Sequence, residues 1–460
     1  MNAPRAPQVV RAAAMPAGTP EVPVAIVGAG ACGLTAALML RDAGIDCVLL
    51  ERDAQPQGST ALSSGFIPAA GTAVQRAGGV LDDSAPRLAA DIQAKAKGTA
   101  APHLVAAYAE VIAPALDALQ ARHGLAFELL DGFLYPGHTV RRMHTLPQKT
   151  GAALVAALGQ AAERAGAMLV TRALVRELWV CDDTEPPTVL GVGVERPDGT
   201  LEHLACGVLL LACNGFGGNP EMVRELLPEM REAVFGGHAG NDGSAIAWGR
   251  ALGAQLADLG GYQGHGSWAV PQGALITWAL MAEGGVQVNA RGERFHDETL
   301  GYSEASVQVL AQPGGVAWNV FDDRLLALGR GFPDFVGAEA AGAVRHAADV
   351  AALAPLIGCE EPVLARTLAG TRLRAPFHAI QVTGALFHTQ GGLDIDAQAR
   401  VRHEAGTVFA NLLAAGGAAR GVSGNAVWGY LSGNGLLSAV AGGFIAARTA
   451  AAELAARGTT

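Results

Sequence analysis

The hydrophobic pattern changes period along the chain, and each change marks an element. Residues 22–53, VPVAIVGAGACGLTAALMLRDAGIDCVLLERD, open on an apolar run, VAIV (24–27), of strand length. After a glycine-rich turn, Leu34, Leu38 and Leu40 fall on helical spacing, and a second run, CVLL, ends at Glu51. The stretch PPTVLGVGVERPDGTLEHLACGVLLLAC (186–213) alternates apolar and polar residues around Pro-Asp-Gly, which predicts a hairpin feeding a core strand. Helices are predicted over 103–124 and, strongly apolar, over 435–456; Pro114 should kink or break the first. The longest apolar runs, such as VLLLAC (208–213), are strand-sized, and none reaches the roughly 18 residues of a membrane span. No tandem repeat is present.

Composition narrows the classes. The chain has 460 residues, 50% hydrophobic and 16% charged, enough to bury a large core in two or three domains. Net charge is −10, lysines number three (Lys95, Lys97, Lys149), and no basic block occurs, which argues against nucleic acid as a partner. Six scattered cysteines form no C-x-x-C pair. They argue against a zinc site and for a reduced, cytoplasmic protein. Residues 1–20, rich in alanine and proline and without a continuous apolar segment, read as a disordered tail rather than a signal peptide.

The first unit carries chemistry. Gly28, Gly30 and Gly33 form G-x-G-x-x-G between a strand and a helix. The first glycine permits the turn, the second lets backbone approach a pyrophosphate, and the third lets helix and strand pack closely. The helix N-terminus faces the phosphates with partial positive charge. Glu51, followed by Arg52, ends the second strand, where an acid accepts hydrogen bonds from a ribose diol. A dinucleotide site is the expectation.

Further segments resemble one flavoprotein superfamily. VNARGERFHDETLGYSE (288–304) contains VN-x-x-G-x-RF-x-x-E; QPQGSTALSSGFIPAAGT (55–72) is similar to a segment that wraps pyrophosphate and flavin; GVLLLACNGFGGNPEMV (207–223), HAGNDGSAIAWGRALGAQL (238–256) and VFANLLAAGGAARGVSG (408–424) resemble three more of its motifs. The chain is thereby identified as a member of the fumarate reductase/succinate dehydrogenase flavoprotein superfamily. The resemblance implies an α/β fold: a Rossmann-type FAD-binding domain in two parts, 21–261 and 386–460, around an inserted α+β capping domain, 262–385. It implies FAD, held by Ser59, Thr60, Gly65, Asn214, Gly215, Asp242, Gly416, Gly435 and Leu436 beside the residues above. The histidine that bonds FAD covalently in some members is matched by Ser59, so noncovalent FAD is expected. A ribityl-holding glutamate is matched by Gly417.

The substrate residues depart from the dicarboxylate-reducing members. Their proton-delivering arginine is matched by Tyr302, and their carboxylate-clamping arginine by Tyr430. Their two histidines are matched by His265 and His388, which orient substrate, bond the flavin edge or sit satisfied in the core. Trp278 and Met281 stand where a glutamate and an arginine form the proton path. Without these charges a dicarboxylate would be poorly paired. Two tyrosines at these places resemble the 3-ketosteroid dehydrogenases, which implies Tyr302 as base for the α-proton and Tyr430, with a backbone N–H near Asn434 or Gly435, as holder of the ketone oxygen. An ordinary tyrosine pKa near 10 calls for a neighbour that stabilises the phenolate. Trp268, Trp278 and Trp428 fit a ring-shaped apolar substrate, or core packing. The chain is short for a 3-ketosteroid dehydrogenase, and YPGHTVRRMHTLPQKTG (135–151) is closer to soluble reductases, with Arg142 or His144 at the entrance or ordering the loop. The expectation is an FAD enzyme that desaturates a cyclic or steroid-like ketone. Alternatives are an enone or fumarate-like acid reductase, the acid needing Arg142 or Arg420 as its clamp, and a non-catalytic flavin relay. The residues name no electron partner.

Overall fold

A computed structural model describes residues 5–130 and 133–458. Its first layer is a nine-stranded sheet. Strands Cys47–Leu50, Glu21–Val27, Leu201–Leu211 and Val408–Ala414 run parallel at its centre, with Met168–Val170 beyond Cys47–Leu50. The second of these is buried through Val24–Val27 and the first along its whole length, as strands covered on both faces require. The predicted hairpin is present as Thr188–Glu195 paired antiparallel with Leu201–Leu211. Helix Ala31–Asp42 follows the glycine turn and packs against the long helix Asn434–Gly458. A Cβ at Gly443 would stand 2.4 Å from the Cys32 carbonyl oxygen, so the two helices approach backbone to backbone. Helices Pro102–His123 and Asn434–Gly458 are long and apolar enough to cross a membrane, but half or more of each apolar window lies inside the core.

Two expectations need correction here. Residues Gln8–Arg11 form a strand parallel to Leu174–Cys181, and Gln8 Nε2 donates to Glu177 Oε1 at 2.7 Å. The described part of the 1–20 segment is therefore no disordered tail; it caps a sheet edge that would otherwise stand unpaired. Helix Pro102–His123 also runs unbroken through Pro114, so the chain does not break there. Pro114 and Glu110, whose carbonyl loses its partner, both lie on the exposed face of the helix, open to solvent.

The capping layer is a seven-stranded sheet centred on the 13-residue strand Phe377–Thr389, flanked by Tyr262–Ala269 and Val316–Asp322. The expected boundary at 385/386 falls inside that central strand. Val234–Phe235, from the stretch assigned to the FAD-binding part, also joins this sheet, pairing with Ala385 and Leu386. The cap has its own hydrophobic core, and Phe66, Leu130, Phe133, Met143 and Tyr430 from the FAD-binding side complete it. The two layers thus meet over an apolar seam, and the cleft lies along it.

Candidate active site

One continuous cleft, about 1860 Å³ of atom-free space partly open to solvent, runs from the glycine turn to the two tyrosines. That is room for a dinucleotide and a second small molecule in contact. At one end Gly28, Gly30, Glu51, Arg52, Ser59, Thr60, Gly65, Asn214, Asp242, Gly416, Gly435 and Leu436 line it. Gly28 has φ +104°, and a Cβ there would stand 2.6 Å from Ala212 O. Gly33 and Gly215 do not line the cleft. A Cβ at Gly33 would lie 2.0 Å from Gly28 O, and one at Gly215 would lie 1.9 Å from Thr389 Oγ1, so both serve close packing.

The polar groups at this end are tied to one another. Glu51 Oε2 accepts from Ala29 N–H at 2.9 Å and Oε1 from Asp53 N–H at 3.0 Å. Burial raises the pKa of its carboxyl. Thr60 Oγ1 accepts from Ala31 N–H at 3.0 Å, pinning the start of the helix. The Ser59 hydroxyl accepts from the side-chain amides of Asn214 (2.9 Å) and Asn241 (2.8 Å). Arg52 donates to Gly240 O at 2.9 Å and pairs with Asp242. At Gly417 a Cβ would stand 2.0 Å from Asn214 Oδ1, so Asn214 leaves no room for a side chain there. Small residues, a helix N-terminus whose N-cap Gly30 carries no side chain, and a buried acid on the second strand fit the shape and polarity of FAD.

The other end gathers Tyr302, Tyr430, His265 and His388. Tyr302 opens the helix Tyr302–Leu310, behind Gly301 at φ +127°. His265 sits on strand Tyr262–Ala269 just before a bulge, which turns its ring onto Tyr302: the rings stack at 4.7 Å and 20°. Burial drops the His265 pKa to about 3 and that of His388 to about 4, so both are neutral at pH 7. His388 Nδ1 lies 3.1 Å from Gln390 Nε2, and its ring packs on Gly435 and Tyr430.

The Tyr302 and Tyr430 rings lie 6.1 Å apart. The Ser432 and Tyr430 hydroxyls neighbour that of Tyr302, and Gly435 N–H donates to Tyr430 Oη at 3.4 Å. Burial raises both phenol pKa values above the ordinary tyrosine range, and for Tyr302 the neighbouring Tyr430 adds to the rise. Among the described residues no phenolate-stabilising cation, which a base would call for, lines this end. Among the described residues Arg52 is the one arginine or lysine lining the cleft, and it stands beside Glu51.

The arginines considered as carboxylate clamps are engaged elsewhere. Arg142 is 1% exposed and bonded to Asp83 (2.9 and 3.1 Å) and Asp91 (2.5 Å). Arg420 is held by Asp258 (2.7 Å) and Asp394 (3.3 Å). His144 is buried against Thr72. Glu298 of the signature accepts from Arg294 and from Gln287 N–H, so it scaffolds the loop before Tyr302. Of the tryptophans only Trp278 reaches the cleft near Tyr302; Trp268 packs on Phe387, and Trp428 lies under Lys97.

Sequence reasoning missed Ser432 and Tyr135, which line the same end, and the apolar wall of Phe66, Met143, Leu275 and Phe387. Tyr135 heads the 135–151 segment, in which Arg142 carries the more conspicuous charge. Ser432 stood two residues beyond Tyr430.

A family model described as FAD binding domain matches residues 23–436. A fumarate reductase (cytochrome) of Shewanella frigidimarina is 27% identical over 452 residues, covering 94% of this chain and 77% of that one. The structure is similar to an open conformation of a flavocytochrome c3 fumarate reductase, with TM-score 0.80 and 26% identity over 95% of this chain and 79% of the other. It is also similar in fold to a 3-ketosteroid-Δ4-(5α)-dehydrogenase of Rhodococcus jostii RHA1, with TM-score 0.75 and 23% identity over 96% and 99% of the two chains. Length therefore does not separate this chain from that enzyme. With the family model spanning nearly the whole chain, the protein belongs to the FAD binding domain family and is an FAD-dependent oxidoreductase of the fumarate reductase/succinate dehydrogenase superfamily.

Proposed function

We propose that the protein transfers hydrogen across the carbon–carbon bond α,β to the ketone of a neutral, cyclic or steroid-like substrate. The observation that carries this reading is the tyrosine end itself: two neutral phenols amid aromatic walls and, among the described residues, no cation there for a carboxylate. Tyr430 Oη accepts from Gly435 N–H, which leaves the phenol proton free to donate to a carbonyl oxygen gaining charge. Tyr302, beside it, exchanges the proton at the α-carbon, and the Ser432 hydroxyl supports its oxygen. Phe66, Tyr135, Leu275, Trp278 and Phe387 exclude water from the reacting atoms. Bound FAD, noncovalent in this reading, supplies two-electron hydride chemistry at the β-carbon.

The same groups serve both directions. A protonated Tyr302 is ready to donate, which favours enone reduction at neutral pH; desaturation requires the phenolate and gains as pH rises. A fumarate-like acid is disfavoured because Arg142 and Arg420 are each saturated by two aspartates. A reducing, cytoplasmic setting belongs to the same proposal and is supported by six unpaired cysteines.

The test is an anaerobic titration of the yellow holoprotein. Loss of visible flavin absorbance on adding 3-ketosteroids or smaller cyclic ketones, or its return when the matching enones meet reduced protein, supports the reading. A response to succinate or fumarate but to no ketone or enone refutes it.

A further inference from the structure

Two of the chain's three lysines stand together at the end of helix Ala85–Lys95, on the FAD-binding side. Each reaches a segment that carries one of the tyrosines. Lys95 Nζ donates to the Leu300 carbonyl at 2.6 Å and pairs with Glu304, so it grips the backbone before Tyr302 and the side chain after it. The pair is largely withdrawn from water, at 12% and 18% side-chain exposure. Gly301 closes over it: a Cβ there would stand 3.1 Å from Glu304 Oε2 and 3.3 Å from Lys95 Nζ. Lys97, with a left-handed backbone at φ +51°, lies over the Trp428 ring at 4.3 Å, two residues before Tyr430. Gly429, between them, packs near Ala96, where its Cβ would lie 3.6 Å from the Ala96 Cα.

We propose that Lys95, with Glu304, and Lys97, with Trp428, form a two-pronged clasp that sets Tyr302 against Tyr430. Both lysines are positioning residues; the claim rests on the ketone-directed reading above for its kinetic part. Tyr302 belongs to the cap and Tyr430 to the FAD-binding part, so their spacing is an interdomain distance. Proton transfer tolerates errors of only about 0.5 Å in such a distance. A single short helix end that holds both segments makes the distance depend on one rigid body. A pair so far removed from water is screened weakly by salt, so the Lys95 prong persists at physiological ionic strength.

The test uses the holoprotein carrying Lys95→Met, Glu304→Gln, Lys97→Met and the Lys95→Met/Glu304→Gln double substitution. Mispositioning predicts a kcat loss of roughly 10- to 100-fold for the Lys95 and Glu304 variants, with KM within about threefold and flavin content unchanged. The double variant should be no worse than either single one, since the two residues act as a unit. Lys97→Met should fall in the same direction by less. Amide hydrogen exchange should quicken at 300–306 in Lys95→Met and Glu304→Gln, and at 428–432 in Lys97→Met, with 24–34 unchanged. Glu304→Gln, which keeps the Lys95–Leu300 bond, stands in if Lys95→Met sheds its flavin. Wild-type kcat and exchange in these variants, or losses that simply add in the double one, overturn the clasp. Should the parent protein turn over no ketone or enone, the functional reading fails, and exchange alone decides the clasp.

Discussion

Replacing Tyr302 by phenylalanine separates its chemistry from its packing. The ring would keep its stack on His265 at 4.7 Å and its edge contact with Trp278 at 6.3 Å, so the wall of the cleft stays in place. What leaves is one hydroxyl between Ser432 and Tyr430. Tyr430 retains the Gly435 N–H, so the net stability change is about 1 kcal/mol or less. If Tyr302 moves the α-proton, its loss removes a positioned acid–base group, worth about 10²- to 10⁴-fold in rate. In barrier terms that is roughly 3–5 kcal/mol, several times the stability change. The assay is anaerobic single-turnover reduction of a cyclic enone by dithionite-reduced holoprotein, normalised to bound flavin, with thermal melts alongside. A Tyr302→Phe protein that keeps more than about a third of the wild-type rate at full flavin content would refute the proton role, since even the weakest such group contributes about 100-fold.

Four further outcomes follow from the same geometry. Tyr430→Phe removes the hydroxyl proposed to donate to the carbonyl, and kcat/KM should fall roughly 10²- to 10³-fold in steady-state assays; an unchanged value would move the carbonyl elsewhere. Because the Tyr302 pKa lies well above the ordinary value, desaturation should keep climbing from pH 7 to the alkaline limit of stability, while enone reduction stays flat; a desaturation plateau at neutral pH would contradict this. Arg142→Met strands Asp83 and Asp91 and should cost about 3–5 kcal/mol in urea unfolding, with little change in KM; a large KM effect in a stable protein would restore Arg142 as a clamp. Burial holds His138 near about 4, His265 near about 3 and His388 near about 4 in the folded state. These depressed values stabilise the fold above the unfolded histidine value, and that stability drains as pH falls toward 4, by up to about 4 kcal/mol per pH unit for three protons. A Tm equal at pH 7 and pH 5 would argue against it.

The parts of this molecule legible in the sequence are those whose physics is local. Gly28, Gly30 and Gly33 announce their turn because the strand before and the helix after are adjacent in the chain, and the hairpin at 188–211 follows from alternation around one turn. Tyr302 and Tyr430, singled out by the resemblance, do line one cleft. What stayed hidden depends on partners far along the chain. Gln8–Arg11 is a strand only because an edge at Leu174–Cys181 awaits it. Arg142 reads as an entrance cation until Asp83 and Asp91 are folded around it. The signature marked the right neighbourhood, yet its Glu298 and Arg294 bond each other and hold the loop, so motif strength did not distinguish scaffold from chemistry. Tyr135 and Ser432 carry no such frame, and only the closing of the cap over the seam brings them to the same cleft end.

The strand Phe377–Thr389 has a consequence for how such a protein can change. It is the spine of the cap sheet, yet its last turn of chain holds His388 against Gly435 and Thr389 against Gly215, both on the other layer. Val234–Phe235 reaches in the opposite sense, from the FAD-binding stretch into the cap. No cut at two points of the chain lifts out a self-sufficient cap. Grafting a relative's capping segment would tear a sheet or leave a strand behind. New substrate ranges on this scaffold are therefore reached by exchanging side chains along an intact seam rather than by trading modules.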